Sequence, residues 1–193
     1  GIPFVPGLSN YIGTGGIRFD GNDTMPVLVT HGNIAHNNLV YNNYHGFEVI
    51  QISNTSVFNN TIYNNSSGGR AIGIATNNSI TPKVSGTVVK NNLIYGQFFL
   101  MFDYNTENSD IDHNLYYVDS ANLAAWGSYE AFFFYPSAGQ TNQFSLWQAT
   151  GRDQHSIISS NPQFVNASAG DLHINVGSPA VDMGTTEGID IPS

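Results

Sequence analysis

His36-Asn37-Asn38-Leu39-Val40-Tyr41 decides the fold, because it recurs. Phe58-Asn59-Asn60-Thr61-Ile62-Tyr63, Lys90-Asn91-Asn92-Leu93-Ile94-Tyr95 and Asp112-His113-Asn114-Leu115-Tyr116-Tyr117 follow the same plan: Asn, an apolar pair or Thr-Ile, then Tyr. The steps Asn38 to Asn60, Asn60 to Asn92 and Asn92 to Asn114 are 22, 32 and 22 residues. A fixed period in this range marks a solenoid, and about 22 residues with short strand-like pieces suits a β-helix coil.

A second alternating strand falls in each period. Ile17-Arg18-Phe19, Gly46-Phe47-Glu48-Val49-Ile50, Ala71-Ile72-Gly73-Ile74 and Phe98-Phe99-Leu100-Met101-Phe102 fit one column. Alternation points Ile17, Phe47, Ile72 and Phe98 inward, followed by Phe19, Val49, Ile74 and Leu100. Arg18, Glu48, Gly73 and Phe99 then point outward. Val27-Leu28-Val29 is a further short strand, after a turn at Gly21-Asn22-Asp23.

The Asn column has a physical reason. A tight turn between strands needs a residue that tolerates positive φ, and Asn is second only to Gly. Strands stack about 4.8 Å apart, so amides at one level can bond to the next. The long step carries ten extra residues, about three at Ser66–Gly69 and the rest at Asn77–Gly86. Such insertions are where solenoids place function.

After Tyr117 the period fades. Asn122–Gly127 is an excursion carrying Trp126, and Ala131–Tyr135 is an aromatic strand. Ser145–Gly151 reads as a short helix, with Ser145 as N-cap and Gly151 as stop. Gln163–Val165, Asp171–Asn175 and Ala180–Asp182 read as strands. Trp147 to Asp182 is expected to cover the C-terminal end of the stack, which otherwise exposes core and strand edges.

The 193 residues form one domain, with regular coils over 15–118 and the last coils and an irregular cap over 119–193. Cysteine is absent, which excludes disulfides and thiol chemistry. Five Lys and Arg against 14 Asp and Glu give a net charge of −9. No basic footprint for nucleic acid exists, and no apolar run approaches a membrane span. A surface of Asn, Ser, Thr, Gly and Tyr suits neutral hydrogen-bonding ligands, sugars above all. A polyanion would be repelled unless a cation bridged it.

The repeated Asn-Asn-x-Ile-Tyr blocks resemble those of the right-handed parallel β-helix superfamily, the pectate-lyase-like fold. The tail is similar to that superfamily's C-terminal segment. It comprises Trp147-Gln148-Ala149-Thr150-Gly151-Arg152-Asp153-x-x-Ser156, then Asn161–Asn166, Gly170–Ile174 and Gly177–Gly184. The resemblance covers about residues 15–190 and implies an all-β, right-handed parallel β-helix. It further implies a secreted or cell-surface protein acting on polysaccharide, commonly as a lyase or glycosidase. Gly1-Ile2-Pro3 and the stop at Ser193 read as a short member or a fragment.

A uronate lyase needs a base for the C5 proton and a cation beside the carboxylate. The candidates are Arg70 at the start of a strand, Lys83 on the insertion, and His45 with outward Glu48 one coil earlier. Stacking in register would bring His45, Glu48 and Arg70 within about two coil spacings. An ordinary ion pair of Glu48 with Arg70 or Arg18 is the plainer alternative. Asp103, Asn105 and Glu107 alternate on an acid-rich segment and can offer oxygens to Ca²⁺, though the spacing lacks an EF-hand's Gly and terminal Glu. For a glycosidase, Glu48 and Asp103 would lie about 9.6 Å apart by coil spacing if they shared a column, but Asp103 falls at the strand end and is not expected to share it. The six histidines show no His-x-His or His-x-x-x-His pair, so zinc is not expected. The expectation is a polysaccharide lyase-like protein, with a glycoside hydrolase second. The rival from another class is a non-catalytic carbohydrate-binding or structural module.

Overall fold

Val40, Ile62, Ile94 and Tyr116 lie side by side as hydrogen-bonded neighbours, and all four are buried. That row sets the architecture. The computed structural model describes residues 15–21, 28–63, 69–76, 81–96, 99–118, 132–135, 139–141, 144–158 and 160–189.

The protein is all-β, built from three parallel sheets whose strands succeed one another in chain order. Sheet A stacks β1 (Gly15–Asp20), β4 (His45–Ile50), β7 (Arg70–Ala75), β10 (Phe99–Tyr104) and β13 (Phe132–Tyr135) in parallel, and β14 (Gly139–Thr141) adds to β13 antiparallel. Sheet B stacks β2 (Leu28–His36), β5 (Ile52–Phe58), β8 (Val88–Lys90) and β11 (Asp110–Asp112). Sheet C stacks β3 (Leu39–Tyr41), β6 (Thr61–Tyr63), β9 (Leu93–Tyr95), β12 (Leu115–Tyr117) and β15 (Ile157–Ile158). One strand of each makes a layer, an order compatible with a β-helix-like solenoid. Inward side chains of all three sheets merge in one core, including Phe47, Val57, Ile62, Ile72, Val89 and Ile94.

The corner between sheets B and C carries the amide ladder. Asn38 Nδ2 donates to Asn60 Oδ1 at 2.9 Å, Asn60 to Asn92 at 3.0 Å, and Asn92 to Asn114 at 3.0 Å. Each backbone N–H of Asn38, Asn60 and Asn92 donates to the same oxygen of the next layer. The ladder residues are not the ones with positive φ, as the sequence reasoning supposed. Asn37, Asn59, Asn91 and His113, one position earlier, take the left-handed conformation at φ of 55–57°. The Asn-Asn pair thus divides two tasks: the first residue turns the chain and the second bonds the layers.

Sheet A differs from expectation in one layer. Ile17, Phe47, Ile72 and Met101 share a column, and so do Phe19, Val49, Ile74 and Asp103. Phe98 lies outside the described residues, and Phe102, not Phe99, joins Arg18, Glu48 and Gly73 in the outward column. From Phe47 to Ile72 is 25 residues and from Ile72 to Met101 is 29, three and seven more than 22. The two insertions account for both excesses. The offset changes the register, while Leu100 still packs in the inner core and Phe99 on the outer side, as expected.

The fifth layer ends the ladder with other chemistry. Ser156 Oγ accepts from Asn114 N at 2.8 Å, and Asp153 Oδ1 accepts from Asn114 Nδ2 at 3.2 Å. Asp153 Oδ2 takes Tyr116 Oη at 2.9 Å and Trp147 Nε1 at 2.6 Å. The helix spans Phe144–Gln148, so Ser145 lies within its first turn and is not the N-cap. Gly151 does end this segment in a left-handed conformation at φ 89°. Trp147 is fully buried against the core, so this segment closes the stack.

The remaining tail does something else. The antiparallel hairpin of β16 (Phe164–Asn166) and β17 (Asp171–Ile174) runs back along sheet C, with Phe164 against Tyr63 and Tyr95. Asn91 Nδ2 donates to Thr185 O at 2.7 Å, and Lys90 Nζ to Glu187 O at 3.1 Å. Ala180–Asp182 is turn, not strand, with Asp182 at φ 58°. The expected features at Asn22-Asp23, Ser66–Gly68, Asn77–Ile80 and Asn122–Gly127 lie outside the described residues.

Candidate functional sites on sheets A and C

Layer stacking brings three of the four sequence-chosen catalytic residues together on sheet A. Glu48 pairs with Gly73 across β4 and β7, and His45 and Arg70 meet where the two strands begin. Gly73 leaves room for the Arg70 side chain: a Cβ there would lie 3.0 Å from Arg70 Cδ, a tight contact. Without it, Arg70 folds over the strand to reach Glu48 Oε1 with Nη1 at 2.9 Å. Its guanidinium lies 4.4 Å from the centre of the Phe102 ring. Arg18 reaches the other oxygen of Glu48 at 3.3 Å. Arg70 N donates to His45 Nδ1 at 3.1 Å, while His45 Nε2 stands 3.8 Å from Glu48 Oε1.

This cluster is closed to solvent. His45, Glu48 and Arg70 are 3%, 5% and 2% exposed. Both faces of β4, β7 and β10 are buried, the outer one around Ile50, Ala75, Phe99, Phe102 and Tyr104. Burial, then the positive charges of Arg70 and Arg18, pushes His45 down to about 3, so it is neutral at pH 7. Burial also lowers Arg70, with Glu48 pulling against it.

Lys83 is not part of the cluster. It lies beside Glu107, Nζ to Oε1 at 3.8 Å, next to the Ser85–Glu107 bridge. The other basic side chains are also paired. Lys90 meets Asp110 at 2.7 Å, and Arg152 meets Asp103 at 2.6 Å. Every one of the chain's five Lys and Arg residues therefore faces a carboxylate.

The oxygens expected for Ca²⁺ are committed elsewhere. Asp103 sits on the inward face in register with Ile74, where Arg152 and the Thr106 hydroxyl hold its carboxylate. Burial raises its pKa against the pull of Arg152 and Thr106. Glu107 meets Lys83, and Asn105 turns the chain at φ 53°. A Ca²⁺ ion would have to displace the half-buried Arg152 guanidinium from Asp103, so these residues do not fit it. Asp103 and Glu48 occupy opposite faces of sheet A, which removes the glycosidase pair.

Sheet C presents a different surface, which sequence reasoning did not select as a site. Tyr41, Tyr63, Tyr95 and Tyr117 occupy one outward column. Ring centres lie 4.9 Å apart for Tyr63–Tyr95 and 5.2 Å for Tyr95–Tyr117. The tail hairpin leans on this column and leaves clefts beside it. One of about 230 Å³ is lined by Leu39, Tyr41, Asn42, Tyr63, Ser168 and Leu172, among others. A second of about 480 Å³ runs beside Asn37, Asn38, Asn59 and Thr61 under β17. Tyr41 is 53% exposed at the open end. The signal was present as the Tyr closing each repeated block; the hairpin that turns the column into clefts has no repeat to announce it.

No family model, no curated protein and no solved structure matches the chain. Among the described residues, no helix is long and apolar enough to cross a membrane.

Proposed function

We propose that the chain is a right-handed parallel β-helix of the pectate-lyase-like kind, secreted or surface-borne, that binds neutral polysaccharide along the outer face of sheet C. The observation that carries this reading is the cleft of Tyr41, Asn42, Tyr63 and Ser168 between sheet C and the tail hairpin. A sugar ring presents C–H groups to an aromatic face and hydroxyls to amides and hydroxyls. Tyr41 supplies an exposed ring, and Asn42 and Ser168 supply the hydrogen-bonding groups. The lining carries no charge, so the net charge of −9 does not oppose a neutral glycan.

The lyase-like reading expected from the sequence has less support. It asks for an accessible cation, yet Arg70 is buried against Glu48 and Lys83 lies near an acid on another part of the surface. His45 is neutral at pH 7, which suits a base, but it is enclosed with Glu48 and Arg70.

Affinity electrophoresis through gels of neutral and uronate polysaccharides tests the proposal, with product absorbance read with and without Ca²⁺. The expected result is retardation by a neutral polymer that is unaffected by Ca²⁺, without unsaturated product. Formation of unsaturated product from a uronate polymer would return the assignment to a lyase.

A further inference from the structure

The fourth and fifth layers bring together side chains that are 42 residues apart in the chain. β12 and β15 pair Leu115 with Ile157, so His113 and His155 occupy equivalent places in successive layers. Their rings stack, with centres 5.0 Å apart at 24°. Asp112 lies beside both. His155 Nδ1 is 2.7 Å from Asp112 Oδ2, and His113 Nδ1 is 3.5 Å from the same oxygen.

The rest of the geometry fixes the carboxylate and leaves that oxygen to the rings. Asp112 Oδ1 accepts the backbone N–H of His113 at 2.9 Å and that of His155 at 2.7 Å. Lys90, next to Asp112 across the sheet, is held by Asp110 and the Glu187 carbonyl and does not compete. His113 Nδ1 is enclosed and makes no hydrogen bond. An enclosed ring nitrogen without a partner is costly unless something else binds it. One ligand atom from each of Asp112, His113 and His155 lies within 4.8 Å of the other two.

We propose that Asp112, His113 and His155 form a binding site for a divalent transition ion of the zinc class, which ties the closing segment to the fourth layer. Two neutral imidazole nitrogens and one carboxylate oxygen suit Zn²⁺ and its neighbours, not the hard ions Ca²⁺ or Mg²⁺. Bond lengths of about 2.0–2.2 Å set ligand atoms roughly 3.3–3.6 Å apart around a tetrahedral ion. His113 Nδ1 already stands 3.5 Å from the Asp112 oxygen, and the exposed His155 would exchange its 2.7 Å hydrogen bond to that oxygen for the ion. The exposed side of His155 leaves a fourth position for water. Histidine spacing along the chain gives no hint of the site, because the ligands meet only through stacking.

The fold supplies its own control. Asn37, Asn59 and Asn91 hold the left-handed turn in the three earlier layers, and His113 holds it in the fourth. His113→Asn therefore keeps a residue the turn accepts. The full chain is titrated with Zn²⁺ and with Co²⁺, with Mg²⁺ and Ca²⁺ as controls. The proposal expects one equivalent of Zn²⁺ to raise Tm, and Co²⁺ to give a visible absorption band. In His113→Asn and in the exposed His155→Asn, affinity should fall at least about tenfold, the lower range for disturbing even an outer partner of a metal site. No saturable binding in the parent chain, or parent-like affinity in both variants, would overturn it. A Tm rise with Mg²⁺ equal to that with Zn²⁺ would also overturn it.

Discussion

Sheets A and C share one layer spacing and one core, yet their outer faces are opposites. Sheet A carries charge outward and encloses most of it: Glu48 and Arg70 pair over buried strands, and the exposed Arg18 reaches Glu48 from the edge. Sheet C carries rings and amides outward and leaves clefts beside them, with Tyr41 exposed. The comparison separates two properties that sequence reading tends to merge. A cluster of catalytic residue types needs access to act, and a buried, mutually satisfied cluster contributes to the fold instead. A column of ordinary tyrosines becomes a candidate site once a hairpin walls it.

The largest expected effect sharpens the sheet A side. Glu48→Ala leaves the buried Arg70 guanidinium without its carboxylate and should cost about 3–5 kcal/mol in denaturant unfolding. Replacing Glu48 and Arg70 together by Met should cost less than the single change. A Glu48→Ala chain with an unchanged midpoint would show that the pair is accessible to water, reopening sheet A as a site.

The ladder between sheets B and C comes next. Asn92 bonds to Asn60 and Asn114 and donates to Val57 O at 2.9 Å. Each group left unpaired costs about 1–3 kcal/mol, so Asn92→Ala should lose at least about 2 kcal/mol. Asn38→Ala, at the first and half-buried rung, should lose less. Equal losses at the two rungs would contradict the layered account.

Acidity sets the sheet A cluster against the closing segment with opposite signs. His45 has a folded pKa of about 3 against an ordinary 6.5, so the unfolded chain binds the extra proton between those values. Its stabilisation is complete above about pH 6.5 and is lost as pH falls toward 3. Burial raises Asp153 from 3.8 to about 6, against hydrogen bonds from Ser156, Trp147, Asn114 and Tyr116. There the folded state binds the extra proton, so its contribution is present below about 3.8 and is lost as pH rises through 6. In Tm measured from pH 4 to 7, His45→Gln should reduce the loss on acidification and Asp153→Asn should increase it. A His45→Gln chain with the parent's acid dependence would break this assignment.

Much of the frame was legible because a repeat prints its own register. The Asn-x-Ile-Tyr blocks gave sheet C and its inward Ile62 and Ile94, and stacking then placed His45, Glu48 and Arg70 together. Errors arose where the period was broken. The seven inserted residues moved Met101, not Phe98, into the Ile72 column. That shift sent Asp103 inward to Arg152, away from any surface ion. The path of the tail was hidden for another reason. Phe164 reaches Tyr63 and Tyr95 across a long sequence gap, and no local pattern encodes that contact.

The central claim is that the sheet C clefts, and not the chain's few cations, recognise the ligand. Tyr41→Ala and Lys83→Ala, compared by calorimetric titration with the neutral glycan that retards the parent chain, test it most directly. Both residues are partly exposed, so each change should alter stability by no more than about 0.5 kcal/mol. The account predicts that Tyr41→Ala weakens binding at least about tenfold, about 1.4 kcal/mol, while Lys83→Ala binds as the parent does. Loss of binding in Lys83→Ala with full binding in Tyr41→Ala would contradict it.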